Sequence, residues 1–352
     1  MAGIEILDRA DAASLAAFDA VIDVRSPSEF AQDHAPGAIN LPVLSDAERA
    51  QVGAVYVQED RFKARLMGAA YVANNVAHHL RTALADRAGG FKPLIYCWRG
   101  GMRSNAMATI LSQVGWRTTV LAGGYMTWRR HVTARLYDGE LPFRVVLIDG
   151  YTGTGKTEVL LRLAARGVQT IDLEGMAAHR GSLFGGFADR PQPAQKMFES
   201  QLLGLLDGLD PARPVAVEAE SSKVGERMVP PALWRLMLAA PRVELIAAPQ
   251  ARAGYLVRAY RDIVQNRAAL DEALRRLPTP PGRKRLEAWS ALADAGQFEE
   301  LALALMELHY DPAYRRSSRE DARSSLGTVE VGGLEPHDLD AAADRIAALI
   351  EP

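Results

Sequence analysis

The chain has 352 residues, 48% of them hydrophobic, with 41 lysines and arginines against 43 aspartates and glutamates. This is the make-up of a folding globular protein of about two domains, and it excludes a disordered chain. A net charge of −2 supplies no general attraction for a polyanion, so a nucleic-acid surface has to be a local basic patch, and one cysteine excludes an internal disulfide and fits a reducing compartment.

In chain order, the opening stretch mixes acids into its apolar residues and lacks the pattern of a secretory signal. FDAVIDVRS then predicts a strand, AAYVANNVAHHLRTAL a helix, PLIYCWRGG a strand entering a glycine loop, SNAMATILSQVGW a helix and TTVLAGGY a further strand and turn. Strands alternating with helices predict a parallel α/β sheet. The helical, charged segment YMTWRRHVTARLYDGE closes this unit, so the boundary is expected near residue 138. A second alternation follows: RVVLIDG strand, glycine loop, KTEVLLRLAARG helix, VQTIDLEG strand, PQPAQKMFESQLLGLLDGL helix, and the strands PVAVEAE and VELIAAP. From about residue 251 to 308 the pattern is helical, broken at LPTPPGRK. No apolar run reaches bilayer-spanning length, and a soluble cytoplasmic protein without a membrane partner is expected.

Cys97 ends a buried strand and faces a loop of backbone amides that opens a helix. Helix dipole, amides and nearby arginines all favour the thiolate there. Gly100 and Gly101 let the backbone approach an anion, and Arg99 and Arg103 can pair with it. A buried structural cysteine is the alternative. The stretch VIDVRSPSEFAQDHAPGAINLP followed by the Cys97 strand resembles the rhodanese domain, which carries sulfur or selenium on one cysteine. That resemblance implies fold support from Asp23 and Arg25, with Cys97 as chalcogen carrier. The loop is one residue longer than usual in that family, and C-x-x-G-x-x-R-S also reads as a cysteine phosphatase pattern, so phosphatase chemistry stays open. A persulfide or perselenide on Cys97 has no second cysteine in the chain to release it.

GYTGTGKT fits G-x-x-x-x-G-K-[ST] between a predicted strand and helix, the context that a phosphate loop requires. Gly150, Thr152, Gly153, Thr154 and Gly155 form the turn, Lys156 neutralises outer phosphate oxygens, and Thr157 offers its hydroxyl to a magnesium ion if one is bound. Glu218 and Glu220 end the strand PVAVEAE, where a second acidic motif is expected. Nucleoside triphosphate is the default ligand, and a diphosphate on another organic group satisfies the same amides.

Both halves together resemble the tRNA 2-selenouridine synthase family, through AERAQVGAVYVQ, MGAAYVANNVAHHL, YCWRGGMRSNAM, GYTGTGKTEVL, IDLEGMAAHRGSLFGG, VEAESSKVG and LHYDPAY. The resemblance implies a rhodanese-like domain over 1–138 and an α/β phosphate-loop domain over 139–352 with a helical tRNA-binding extension. It implies replacement of sulfur by selenium in wobble 2-thiouridine of tRNA, with selenophosphate as donor and an S-geranylated intermediate made from geranyl diphosphate. A selenophosphate-producing enzyme would then be a partner, and no cofactor is held tightly. The rivals are a cysteine phosphatase or ATP-dependent sulfurtransferase for a small molecule, and a nucleotide-controlled adaptor.

Secondary candidates for the pocket are Gly68, His179, Arg180, Ser222, Lys223 and Tyr310, each with a surface or packing role as its alternative. The same holds for Tyr71, Asn74, Asn75, His309 and Tyr314. His78 and His79 lack partners at metal spacing, so no metal site is expected. For tRNA phosphates, Arg252, Arg258, Arg261, Arg267, Arg275, Arg276, Arg283, Lys284 and Arg285 form the best basic stretch, a solvated helical face being the alternative.

Overall fold

The computed structural model describes residues 3–182, 184–187, 189–277, 282–312, 314 and 323–351. The chain divides into two compact units: residues 1–139 with 194–208, and residues 140–193 with 209–352.

The first unit is built on β1 (Glu5–Leu7), β2 (Ala20–Asp23), β3 (Ile39–Asn40), β4 (Pro93–Tyr96) and β5 (Thr119–Leu121), in the order β1-β5-β4-β2-β3 with every pair parallel. The strand PLIY is buried at all four positions, as expected for a central parallel strand covered on both faces. Helix Met102–Val114 leaves the glycine loop after β4 and stops at Gly115, whose φ of +105° gives the left-handed end that glycine permits. Its Met107 and Leu111 join Ile22, Val24 and Ile95 in one core. Helices Asp46–Gln58 and Arg61–Arg81 pack on each other.

The second unit carries β6 (Arg144–Asp149), β7 (Gln169–Ile171), β8 (Pro214–Glu218), the short antiparallel pair β9 (Lys223–Val224) and β10 (Arg227–Met228), β11 (Arg242–Ala247) and β12 (Ser325–Val331). Its main sheet, again all parallel, has the order β12-β11-β6-β8-β7. Helices Lys156–Ala165 and Pro336–Ile350 pack together, and Leu160, Leu163, Ala343 and Ile346 enter the core with Ile148 and Leu245. The helical region contains Pro249–Ala259, Arg261–Val264, Arg267–Arg275, Arg283–Asp294 and Phe298–Leu305. Several of these close around a separate apolar cluster of Leu270, Leu274, Trp289, Leu301 and Leu305. Of the expected break at LPTPPGRK, residues 278–281 lie outside the described residues.

One assignment from the sequence is corrected. Helix Gln195–Leu206, expected in the second unit, belongs to the first. Its buried Phe198, Leu202 and Leu206 supply the apolar reason. The polar fit is just as specific: the Trp128 indole donates to Ser200 Oγ at 3.0 Å, Arg129 pairs with Glu199, and Tyr137 donates its hydroxyl to Glu199 at 2.7 Å.

Candidate functional site

In the first unit, Cys97 follows β4 and is 3% exposed. Its Sγ accepts from the Gly101 amide at 3.2 Å and from Ser104 Oγ at 3.2 Å. Burial pushes the thiol up, but the Ser104 hydroxyl, the Ser104 and Gly101 amides and the Arg103 charge outweigh it, so the group lies below the ordinary thiol value. A helix start that aims amides at sulfur is how proteins make a thiolate. Arg103 donates to Glu29 at 2.9 Å, and Arg49 reaches the same carboxylate at 3.2 Å. Arg99 is exposed.

The loop is held from below and behind. Arg25 is 1% exposed, pairs with Asp23 at 2.6 Å, donates to the Asp33 carbonyl at 2.6 Å and stacks on Tyr125 at 3.9 Å. The Tyr125 amide in turn donates to the Cys97 carbonyl at 2.8 Å. Gly124, at φ +59°, passes so close that a Cβ would lie 2.2 Å from the Cys97 oxygen. Gly100 at φ +66° is pressed against the same turn, where a Cβ would lie 2.9 Å from the Gly123 amide. Gly68 sits instead in the contact between the two long helices, where a Cβ would meet Val52 at 3.6 Å. Tyr71 donates to Gln51 and Asn75 to Glu48 across that contact, and Asn74 is exposed.

In the second unit, β6 delivers the chain into the turn from Gly150 to Gly155. Gly153 and Gly155 have φ of +84° and +79°, the left-handed backbone that lets amides turn inward. Thr154 is 1% exposed and donates to the Tyr151 carbonyl at 2.9 Å, which fixes the turn. Lys156 Nζ donates to the Gly150 carbonyl at 2.8 Å, and the Thr157 hydroxyl to Glu174 at 2.7 Å.

A cleft of about 1230 Å³ opens over this loop. His179, Arg180, Glu220, Lys223, Arg276 and Tyr310 line it, as do Glu174, His309 and Tyr314. His179 is held below its ordinary value by burial and the Arg180 charge. Arg180 pairs with Asp262 at 2.9 Å and stacks on Phe187 and Tyr260 at 4.1 and 4.9 Å. Lys223 pairs with Glu226 at 3.3 Å. Burial first and Glu174 second raise the Glu220 carboxyl to about 8, against the lowering effect of Lys156. Glu218 does not share this wall: it is fully buried and accepts from the Leu173 amide at 3.1 Å. Ser222 gives its carbonyl to Val229, and its neighbour Ser221 lines the cleft instead.

Beside the cleft lies an apolar chamber of about 80 Å³ whose walls include Phe184, Leu270, Phe298, Leu301, Leu305 and Met306. Thr152, Ser182, Leu256, Tyr260 and Tyr310 border both spaces, so the two are neighbours that share a wall. One water requires about 10–15 Å³, which gives the chamber room for several carbon-sized groups.

The basic stretch needs correction at two positions. Arg252 is 3% exposed; it forks onto Asp311 at 2.6 and 3.0 Å and donates to the Thr152 carbonyl at 2.9 Å. It is a strut of the phosphate loop, because a guanidinium matches a carboxylate and a carbonyl better than bulk water in a closed site. Arg258 is turned to the Leu334 carbonyl and Glu335, both at 3.1 Å. Arg267, Arg276 and Arg283 pair with acids on their own helices, whereas Arg261, Arg275, Lys284 and Arg285 are exposed.

Sequence reasoning did not single out Ser104, Glu29, Gly124 or Glu174. Glu174 stood in view as the last acid of IDLEG, but nothing local showed that it reaches Thr157.

These two sites define a class, a rhodanese-like thiol domain joined to an AAA-type phosphate-loop domain. Family models agree: residues 5–131 match the rhodanese-like domain, and residues 143–276 match the tRNA 2-selenouridine synthase AAA domain. The tRNA 2-selenouridine synthase of Cupriavidus necator H16 is 34% identical over 339 residues, covering 86% of this chain and 89% of that one. That of Hahella chejuensis is 33% identical, covering 84% and 80%. The alignment with the Cupriavidus pinatubonensis enzyme, at 36% identity, spans 65% of that relative. A solved rhodanese-related protein from Thermoplasma volcanium is 20% identical with a TM-score of 0.24, covering 36% of this chain and 92% of that one. The chain belongs to the tRNA 2-selenouridine synthase family. No helix among the described residues is long and apolar enough to cross a membrane.

Proposed function

We propose that this chain is a tRNA-modifying selenotransferase that replaces sulfur by selenium in wobble 2-thiouridine, with selenophosphate as donor and an S-geranylated intermediate formed from geranyl diphosphate. The observation that carries the reading is an apolar chamber set directly beside the phosphate cleft, with five residues bordering both. A nucleoside triphosphate needs no hydrocarbon-lined space beside its phosphates, whereas a diphosphate bearing an apolar tail has a use for both. The loop amides and Lys156 hold the diphosphate, and the tail lies against Leu256, Met306 and Tyr310.

In the first step the thiocarbonyl sulfur attacks the first carbon of the geranyl group; the carbon–oxygen bond breaks, diphosphate departs, and the base loses its ring N–H proton. The selenium of selenophosphate then attacks the base carbon that bears the alkylated sulfur, geranylthiolate leaves and takes a proton from water, and a further water cleaves the selenium–phosphorus bond to release phosphate and leave selenouridine. The ionised Cys97, with Arg99 and Arg103, handles the selenium donor, an anion suited to that loop. Thr157 is the residue that would meet a magnesium ion accompanying the diphosphate. Exposed Arg261, Arg275, Lys284 and Arg285 contact tRNA phosphates, and the supply of selenophosphate requires an enzyme that makes it.

The test is reconstitution with thiolated RNA, geranyl diphosphate and selenophosphate, followed by nucleoside mass analysis. Cys97→Ala is expected to stop at the geranylated base, and Lys156→Ala to lose the geranylation step. Selenouridine at the normal rate from Cys97→Ala, or geranylation unchanged in Lys156→Ala, would overturn the assignment of that site.

A further inference from the structure

The two long helices of the first unit form a hairpin whose turn leaves apolar side chains in water. Helix Asp46–Gln58 has no buried residue. Around the turn, Tyr56, Val57, Phe62 and Leu66 stand exposed within eleven residues, Val57 by 83% and Phe62 by 71%. Phe62 and Leu66, four apart, share one helix face, and Arg61 lies over the Tyr56 ring at 5.4 Å, so the cluster bridges the two helices. Large apolar side chains gathered like this on a surface mark a place where something docks. Charge identifies the partner. Helix Arg61–Arg81 carries Arg61, Lys63, Arg65 and Arg81 and not one acid in 21 residues, in a chain whose acids outnumber its lysines and arginines. The acids of the turn are engaged locally: Asp60 accepts from the Lys63 amide at 2.7 Å, and Glu59 lies 3.9 Å from the Lys63 ammonium. Beyond Leu66 the exposed face continues in Ala69, Ala70, Ala73, Asn74 and Ala77, too thin an apolar stripe for a helix that lies on lipid. The helix runs back for about 30 Å at about 1.5 Å per residue. At its root Asn75 donates to Glu48 at 2.9 Å, and Arg49 shares Glu29 with Arg103 of the cysteine loop.

We propose that this hairpin is an RNA-docking post: an unpaired base of the substrate RNA stacks on Phe62 at the tip, and the neighbouring phosphates lie along Arg61, Lys63 and Arg65. The inference rests on the tRNA-modifying reading above and adds a contact on the first unit, separate from the basic residues between 261 and 285. Aromatic rings set among cations are what proteins use to hold unpaired bases, since every base has a face that stacks whatever the sequence. The helix free of acids attracts the phosphates without opposing them. A duplex would use the cations and leave the ring bare.

The experiment measures binding of the full chain to a fluorescent stem-loop RNA over a salt series, by anisotropy, with a blunt duplex of the same stem beside it. Phe62→Ala should weaken stem-loop binding about five- to a hundredfold, the loss of one stacked base, while the salt slope and duplex binding stay as in the wild type. Phe62→Trp should bind as the wild type does and Phe62→Leu should not, because only the indole offers a ring to stack on. The triple variant Arg61→Gln, Lys63→Gln, Arg65→Gln should weaken binding of both RNAs and lower the stem-loop salt slope by about two, at about 0.7 for each lost single-strand contact. These side chains are exposed, so the urea midpoints should match the wild type. Phe62→Ala and triple-variant chains that bind both RNAs as tightly as the wild type would overturn the docking assignment and leave the tRNA-modifying reading standing. A wild-type dimer that Phe62→Ala splits into monomers in sedimentation would give the patch to a second copy of the chain and overturn it as well. A wild-type chain that neither binds nor modifies tRNA would refute the tRNA reading, and the docking assignment with it.

Discussion

Replacing Ser104 by alanine tests the thiolate directly, because the chain holds one cysteine and any thiol reagent reports on Cys97 alone. Ser104 Oγ lies 3.2 Å from the sulfur and also 3.1 Å from the Gly101 carbonyl. Its single proton has two acceptors, so the lower end of the range for a hydrogen bond to a charged group applies, about 1.5 kcal/mol. At about 1.4 kcal/mol per pKa unit, the thiol should rise by about one unit. The sign follows from the state that is stabilised: the hydroxyl favours the thiolate, and losing it leaves burial, which favours the neutral thiol, less opposed. The pH midpoint for labelling by iodoacetamide should therefore move up by about one unit, with the rate at pH 7 falling up to about tenfold. Arg103→Gln should move the midpoint less, since that arginine is the smallest of the contributions and is held by Glu29. A midpoint unchanged in Ser104→Ala would refute the claim that this hydroxyl helps to hold the anion.

Two further outcomes are expected. Gly124→Ala should distort the cysteine turn: φ is +59° there and the new Cβ would meet the Cys97 carbonyl. A backbone at φ +59° and ψ −144° is close to glycine-only and costs another residue about 1–3 kcal/mol, so the urea midpoint should fall and the labelling profile change, although residue 124 has no chemical role. Arg252→Ala removes one partner of a buried pair, a change that typically costs about 3–5 kcal/mol. Urea unfolding should show that loss, while the salt dependence of RNA binding should stay as in the wild type; a shallower salt slope would return Arg252 to the RNA surface.

Both loops were legible because their information is local. GYTGTGKT and YCWRGG place glycines, a lysine or a thiol at fixed offsets on a strand-to-helix turn, and the structure meets each residue within that same turn. The parallel sheets were legible through continuous apolar runs such as VVLI and PLIY. What escaped depends on partners remote in sequence. Arg252 looks like its exposed neighbours until Asp311 and the Thr152 carbonyl are brought to it. Glu174 is one of many acids until the fold sets it against Thr157 and Glu220. The short β1 carries too few residues to show a period, and its apolar Ile6 is 76% exposed, so burial leaves no imprint on the sequence.

Helix Gln195–Leu206 also constrains how the protein is made. The body that presents Cys97 lacks a wall until synthesis has passed Gly208, well after the ribosome has begun the phosphate loop. During that interval the Trp128 indole has no Ser200 to bond, and the surface later covered by Phe198 and Leu202 faces solvent. At translation speeds of about 5–20 residues per second, the nascent thiol domain waits several seconds half-finished. A gene truncated near codon 139 would freeze it in that state, so soluble expression of the isolated rhodanese-like portion calls for grafting the later helix back on.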